Sequence, residues 1–187
     1  MSLDTQKIFR NLMLALSYPG RVVNVASDTM YPGILYPETM DQILTLLDAE
    51  VTFHLVGEDE ETEQEIKIRS LSKSAPLEKA DYIVIPYSER EKTAEILRKV
   101  KYGSLLDPDQ SATVFIESAK VAQPNVLTWM GPGIKENIQV GISDQELWLQ
   151  ARNEVVAEFP FGIDLFFVGK DKGLVGLPRT TEVKGAY

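Results

Sequence analysis

Six residues, Ile163 to Val168, constrain the fold of this chain more than any other stretch. Ile163, Leu165, Phe166, Phe167 and Val168 leave almost no polar face for water, so the run reads as a strand covered on both sides. Such a strand demands one layer of structure above it and another below. A polar turn follows, Gly169-Lys170-Asp171-Lys172-Gly173, and Leu174 to Leu177 then resumes the apolar course, which predicts a hairpin. Past it lies Leu177-Pro178-Arg179-Thr180-Thr181, where proline ends the ladder and a guanidinium stands beside two hydroxyls.

The earlier chain supplies candidate layers. Asp4 to Ser17 carries Ile8, Leu12, Ala15 and Leu16 at helical spacing and ends at Tyr18-Pro19-Gly20. Arg21 to Ala26 alternates weakly as a strand, Asp28 to Pro37 reads as a loop, and Glu38 to Asp48 returns to helical spacing. Val51 to Val56 and Asp81 to Pro86 read as strands, and a helix is expected from Ser88 to the glycine at 103. Ala112 to Glu117, Val126 to Trp129 and Asn137 to Ile142 are further strands, and a last helix runs from the Ser143-Asp144 cap through Ala157, with Leu147, Leu149, Val155 and Val156 as its apolar positions. The acidic run Glu58 to Glu65 reads as a solvated loop, since it has neither the glycine nor the ligand spacing of a calcium loop, and Ile66 to Ser74 suits either a helix or a short strand. The order predicts an α/β fold of three layers, α/β/α, with a mixed sheet, as a single domain over residues 1–187.

Composition removes whole classes of function. With no cysteine, the chain has no disulfide, thiolate zinc site, iron-sulfur cluster or cysteine nucleophile. A net charge of −9 argues against nucleic acid and anionic membranes as partners, both of which are bound chiefly through Lys and Arg. No apolar run approaches the length of a bilayer span, and a cytoplasmic location is expected. Neither a phosphate-binding lysine loop nor a dinucleotide fingerprint nor a nucleophile elbow is present, and Gly131-Pro132-Gly133 reads as a tight turn because Pro132 lacks an amide donor. His54 is the only histidine and falls mid-strand, which favours a structural role and rules out a multi-histidine metal site.

One polar constellation remains. Arg179, Thr180 and Thr181 have the donors to hold a phosphoryl or carboxylate oxygen. The same guanidinium is equally suited to a salt bridge with Asp164 or Asp107. Asp164 interrupts an apolar strand, so burial there requires a partner or a raised pKa.

Taken together in order, Gln6-Lys7-Ile8-Phe9-Arg10 through Tyr18-Pro19-Gly20, Gly103 to Thr113, Gly131-Pro132-Gly133-Ile134, Phe159-Pro160-Phe161-Gly162-Ile163-Asp164 and Leu177-Pro178-Arg179-Thr180-Thr181 resemble the PhnH subunits of bacterial carbon-phosphorus lyase systems. Phe161 and Ile163 vary within apolar character, and the segment before the first helix is shorter than usual. The resemblance implies a fold similar to the large domain of pyridoxal-phosphate-dependent transferases without that cofactor, with no other cofactor expected. It implies a homodimer that joins PhnG, PhnI and PhnJ subunits in a transferase complex, ribose 1-methylphosphonate 5-triphosphate synthase, acting in phosphonate catabolism. Carbon-phosphorus cleavage itself then lies on another polypeptide, because this one holds no cysteine for a cluster. Three roles are compatible with these residues: an accessory or assembly subunit; an enzyme half-site completed at a dimer interface; and a small-molecule binding module. In the last two, the polar cluster of Arg179, Thr180, Thr181, Asp164, Asp107 and Arg10 is the candidate anion-binding or interface site.

Overall fold

The computed structural model describes residues 4–123, 127–158 and 160–185. Helix α1, Thr5–Ser17, begins where the Asp4 carboxylate accepts the Lys7 N–H at 3.1 Å, and leads through β1, Val23–Asn24, to α2, Pro37–Leu46. Strand β2, Thr52–Leu55, α3, Glu60–Ser70, β3, Lys73–Ser74, and β4, Tyr82–Ile85, come next. A 3-10 helix, Tyr87–Lys92, runs into the short α4, Thr93–Leu97, and then β5, Thr113–Ser118. Strands β6, Leu127–Met130, and β7, Ile138–Val140, precede α5, Gln145–Val155. The chain then forms β8, Asp164–Gly169, β9, Gly173–Leu177, and β10, Glu182–Lys184.

Seven strands form a mixed sheet in the order β1-β9-β8-β5-β4-β2-β3. The five from β8 to β3 run parallel, while β9 and β1 are antiparallel to their neighbours. As its apolar run requires, β8 is buried on both faces: Leu165 and Phe167 enter one core, Phe166 and Val168 the other. Helices α1, α2 and α3 cover the Phe166 face, where Phe166 stacks on Phe115 at 4.9 Å between ring centroids. On the Phe167 face lie α4, α5 and a second, three-stranded antiparallel sheet in the order β10-β6-β7. That small sheet corrects the expectation of a single mixed sheet between two helical layers: the late strands form a sheet of their own, and Trp129, Leu127, Val140 and Val183 pack into the core beside Trp148 of α5.

Two other expectations need revision. The acidic run is a helix rather than a loop: the Asp59 carboxylate caps it by accepting the Thr62 N–H at 3.0 Å, acids fill its first turn, and Lys67 reaches Glu63 at 2.6 Å. Its buried stripe is only Thr62, Ile66 and Ser70, too narrow to stand out as an apolar period, and β3 follows it, so the ambiguous segment is part helix and part strand. In α5 the buried face is Trp148, Ala151 and Arg152, not the Leu147 and Leu149 positions. Val126 of the expected strand and Phe159 of the Phe159 to Asp164 motif lie outside the described residues.

Helix α1 rests directly on β9. A Cβ added at Gly176 would meet the Ala15 carbonyl carbon and oxygen at 2.7 Å and the Leu16 nitrogen at 2.9 Å, so backbone lies against backbone. Gly176→Ala is therefore expected to lower stability by roughly 1–3 kcal/mol through overpacking. Thermal unfolding checks this; an unchanged unfolding temperature would mean that α1 is not seated as described.

Candidate functional site

The segments singled out in the sequence come together at two places. At the first, the Tyr18-Pro19-Gly20 turn after α1 meets the Gly131-Pro132-Gly133 turn between β6 and β7. A Cβ at Gly133 would stand 2.6 Å from the Ser17 carbonyl, and one at Gly20 would stand 2.6 Å from a Val140 methyl. Both glycines have positive φ, and Ile134 N–H closes the second turn on Gly131 O at 3.1 Å, so this motif is a turn. At the second place, the loops containing residues 102–110, 160–164 and 178–181 converge on Arg179.

The Arg179 site sits at the amino end of the parallel strands. Asp164 opens β8, and its carboxylate accepts the Arg179 backbone N–H at 2.8 Å and faces Nη2 at 3.4 Å. Nη1 donates to the Pro108 carbonyl at 2.6 Å, which ties the 104–110 loop to the sheet. Gly162 permits this approach, since a Cβ there would lie 2.9 Å from Arg179 Cβ, and its N–H binds the Tyr102 carbonyl at 3.0 Å. Of the two acids considered, Asp164 is thus the partner of Arg179. Asp107 is exposed and its carbonyl closes the loop on Ser104 and Gln110. Arg10 is exposed on α1, and no hydrogen bond or ion pair joins it or the Asp107 carboxylate to this cluster among the described residues. Thr180 is exposed, while Thr181 is buried with an unpartnered Oγ1. His54 has the structural role expected of it, with Nδ1 3.0 Å from the Ala75 carbonyl.

Beside Arg179 is a cavity of about 580 Å³ between α5 and β10. Its wall includes a residue that the sequence reading passed over. Arg152, in the last turn of α5, is only 1% exposed, with no carboxylate within salt-bridge distance among the described residues. Nη2 donates to the Pro178 carbonyl at 2.8 Å and Nη1 to Asn153 Oδ1 at 3.1 Å, while Nε has no partner. Burial lowers its pKa to about 10, against the field of Asp164 acting the other way. A signal existed: Trp148, Ala151, Arg152 and Val155 fall at i, i+3, i+4 and i+7, which puts the arginine on the inward stripe.

The carboxyl end of the sheet holds a second buried charge. Glu117, near the end of β5 and 1% exposed, accepts the Tyr36 N–H at 2.6 Å and the Tyr87 N–H at 3.0 Å, joining the start of α2 to the start of the 3-10 helix. Ligands of open parallel sheets usually bind outside the carboxyl ends of the strands. Here the chain's own carboxylate takes the backbone donors at that end. Burial raises its pKa to about 7, helped by nearby Glu38 and opposed by the two amides. Because the folded carboxyl holds its proton above the ordinary value of 4.5, its contribution to stability falls as pH rises from about 4.5 to about 7. Glu117→Gln is expected to flatten that part of the stability profile, measured by denaturant titration at each pH; an unaltered slope would contradict the assignment.

The comparisons with known proteins agree with one another. A family model described as bacterial phosphonate metabolism protein (PhnH) matches residues 1–184. The putative C-P lyase subunit protein HtxG of Stutzerimonas stutzeri is 34% identical over 188 residues, covering 97% of this chain and 88% of that protein. Alpha-D-ribose 1-methylphosphonate 5-triphosphate synthase subunit PhnH of Rhizobium meliloti (strain 1021) is 26% identical over 184 residues, covering 97% of this chain and 90% of that one.

Proposed function

Starting from the fact that the chain belongs to the PhnH family of bacterial phosphonate metabolism proteins, we propose that it is an accessory subunit of a carbon-phosphorus lyase complex. In this reading it supports formation of ribose 1-methylphosphonate 5-triphosphate from ATP and a phosphonate, while the reacting groups sit on other polypeptides. The match of the family model to nearly the whole chain carries the reading, together with two relatives whose names are those of subunits. The chain acts as one domain, in the cytoplasm, as a homodimer that binds PhnG, PhnI and PhnJ counterparts. Its sheet and covering helices correspond to the large domain of pyridoxal-phosphate-dependent transferases without the cofactor.

The geometry supports an assembly role. Arg179 is engaged by Asp164 and Pro108, and its most direct effect is to hold the loop that carries Leu105 and Leu106, which are 75% and 90% exposed. Helix α1 presents Phe9 and Met13 outward, one turn apart, each about half exposed. Apolar side chains held out by a fixed framework suit docking to another subunit. No helix among the described residues is long and apolar enough to cross a membrane.

Co-expression with the other three polypeptides and affinity capture of this chain tests the proposal. The four are expected to copurify, and Leu106→Glu to weaken capture without lowering the unfolding temperature. The chain alone is expected to give no turnover of ATP with methylphosphonate. Enzyme-like turnover by the isolated chain, or failure to associate, would refute the subunit role.

A further inference from the structure

On the other face of the main sheet, α1, the segment 24–29 and α2 enclose a smaller cavity of about 290 Å³. Asp41 and Gln42 of α2 are buried at its floor, while Asp4, Lys7 and Asp28 are exposed at its rim. Asp41 is only 6% exposed. Its Oδ1 accepts the Tyr31 hydroxyl at 2.5 Å, and its Oδ2 has no partner among the described residues yet is not closed off from the cavity. Burial, then the hydrogen bond and charge of Asp41, push the Tyr31 hydroxyl up to about 12, so it remains a neutral donor and supplies no counter-charge. Neither nearby cation supplies one. Arg69, whose guanidinium lies 5.2 Å over the Tyr31 ring, is paired with Glu65, and no ion pair joins Lys7 to Asp41 among the described residues. A carboxylate at that depth is costly until a cation meets it. Gln42, 1% exposed, makes no hydrogen bond with either end of its side-chain amide among the described residues. Its Oε1 is closed off and its Nε2 is not, and a half-turn of the amide exchanges them, so it can present a donor or an acceptor.

We propose that this cavity binds a protonated primary amine on a short apolar stem, with Asp41 as its counter-ion and the Gln42 and Asn11 amides as neutral hydrogen-bond partners. An ammonium group has three donors and needs one carboxylate with a few neutral acceptors, which is what these side chains offer. A divalent metal requires a fuller set of oxygen ligands, and among the described residues no three acidic or histidine side chains meet in a way that could hold one. Ile8 and Val25 give the stem apolar contact. The wall is fixed in advance: Val25 N–H donates to the Lys172 carbonyl at 2.9 Å, Ser27 N–H to the Glu38 carboxylate at 3.2 Å and Thr29 N–H to Ser27 Oγ at 3.1 Å. The volume stands at the small end of ligand pockets, about 300–1,000 Å³, and suits a ligand of a few carbons. The site rests on this cavity and not on membership in a complex, so failure to bind an amine leaves the subunit role intact, and failure to associate leaves the site intact.

Calorimetric titration of the intact chain with n-butylamine, putrescine, tetramethylammonium, n-butanol and magnesium chloride, at matched ionic strength, tests it. Saturable binding of n-butylamine or putrescine is expected, weakened about tenfold or more in Asp41→Asn, because a charge-assisted hydrogen bond is lost. Without amine, Asp41→Asn is expected to unfold at or above the wild-type temperature, since it removes a buried uncompensated charge and keeps an acceptor for Tyr31. Gln42→Met gives a smaller loss of binding and decides the matter if the Asp41 variant does not fold. Tighter binding of putrescine than of n-butylamine, reduced to parity in Asp28→Asn, assigns the rim acids to a second ammonium; the reverse order assigns the site to a monoamine. No saturable binding of either amine by the wild type up to roughly 10 mM, beyond the weak end of specific binding, would overturn the proposal. So would amine binding undiminished in both variants, or tetramethylammonium, n-butanol or magnesium bound as tightly as the primary amines.

Discussion

The ladder in which β8 lies between β5 and β9 is the interaction on which the other parts depend. Its residues alternate between two cores, so neither face is available to water, and the chain must build a layer on each side before the strand is stable. Three helices form one layer. The other combines two helices with the three-stranded sheet, whose turn at residues 131–134 meets the turn after α1, so the two layers touch around the edge at β9 and β1. Gly176 is where this arrangement is tightest, with helix backbone resting on strand backbone.

Glu117 and Arg152, each only 1% exposed, are buried at opposite ends of this sheet, and the contrast between them is informative. Desolvating an ion costs several kcal/mol even after relaxation. Glu117 offsets part of that cost with two amides, one from each helical segment it joins, and meets the rest by holding its proton up to about pH 7, so the carboxyl end is closed by a group of the chain itself. Arg152 has carbonyls and an amide oxygen but no counter-charge, and it borders open volume. The first is a finished internal cap; the second is an incomplete one. Arg179, between them in character, is partly exposed and fully engaged, and its work is to fix a loop.

Much of the architecture was legible in the residues because burial on both faces, hairpin turn chemistry and helical spacing all pointed the same way in β8, β9, α1 and α2. Helix α3 was hidden because its stability comes from the Asp59 cap and charge pairs rather than from an apolar face. The small sheet was hidden because β10 pairs with β6 more than fifty positions away, and no local signal records such a contact. At the site, the pairing of Asp164 with Arg179 followed from an acid placed in an apolar strand, whereas the Asp107 and Arg10 side chains were proposed without a packing argument and form no hydrogen bond or ion pair with the cluster among the described residues. Arg152 was missed because a charged residue in a helix is read as solvated unless its phase is compared with that of its neighbours, here Trp148 and Ala151.

The central claim is that a rigid α/β body holds apolar side chains outward for other subunits. Hydrogen exchange of this chain, free and in the reconstituted complex, tests it most directly. The account predicts new protection in the outward part of α1 or in residues 104–110 on assembly, with exchange of the buried amides of β5 and β8 the same in both states. Protection that appears in neither surface, or that is confined to the central strands, would contradict it.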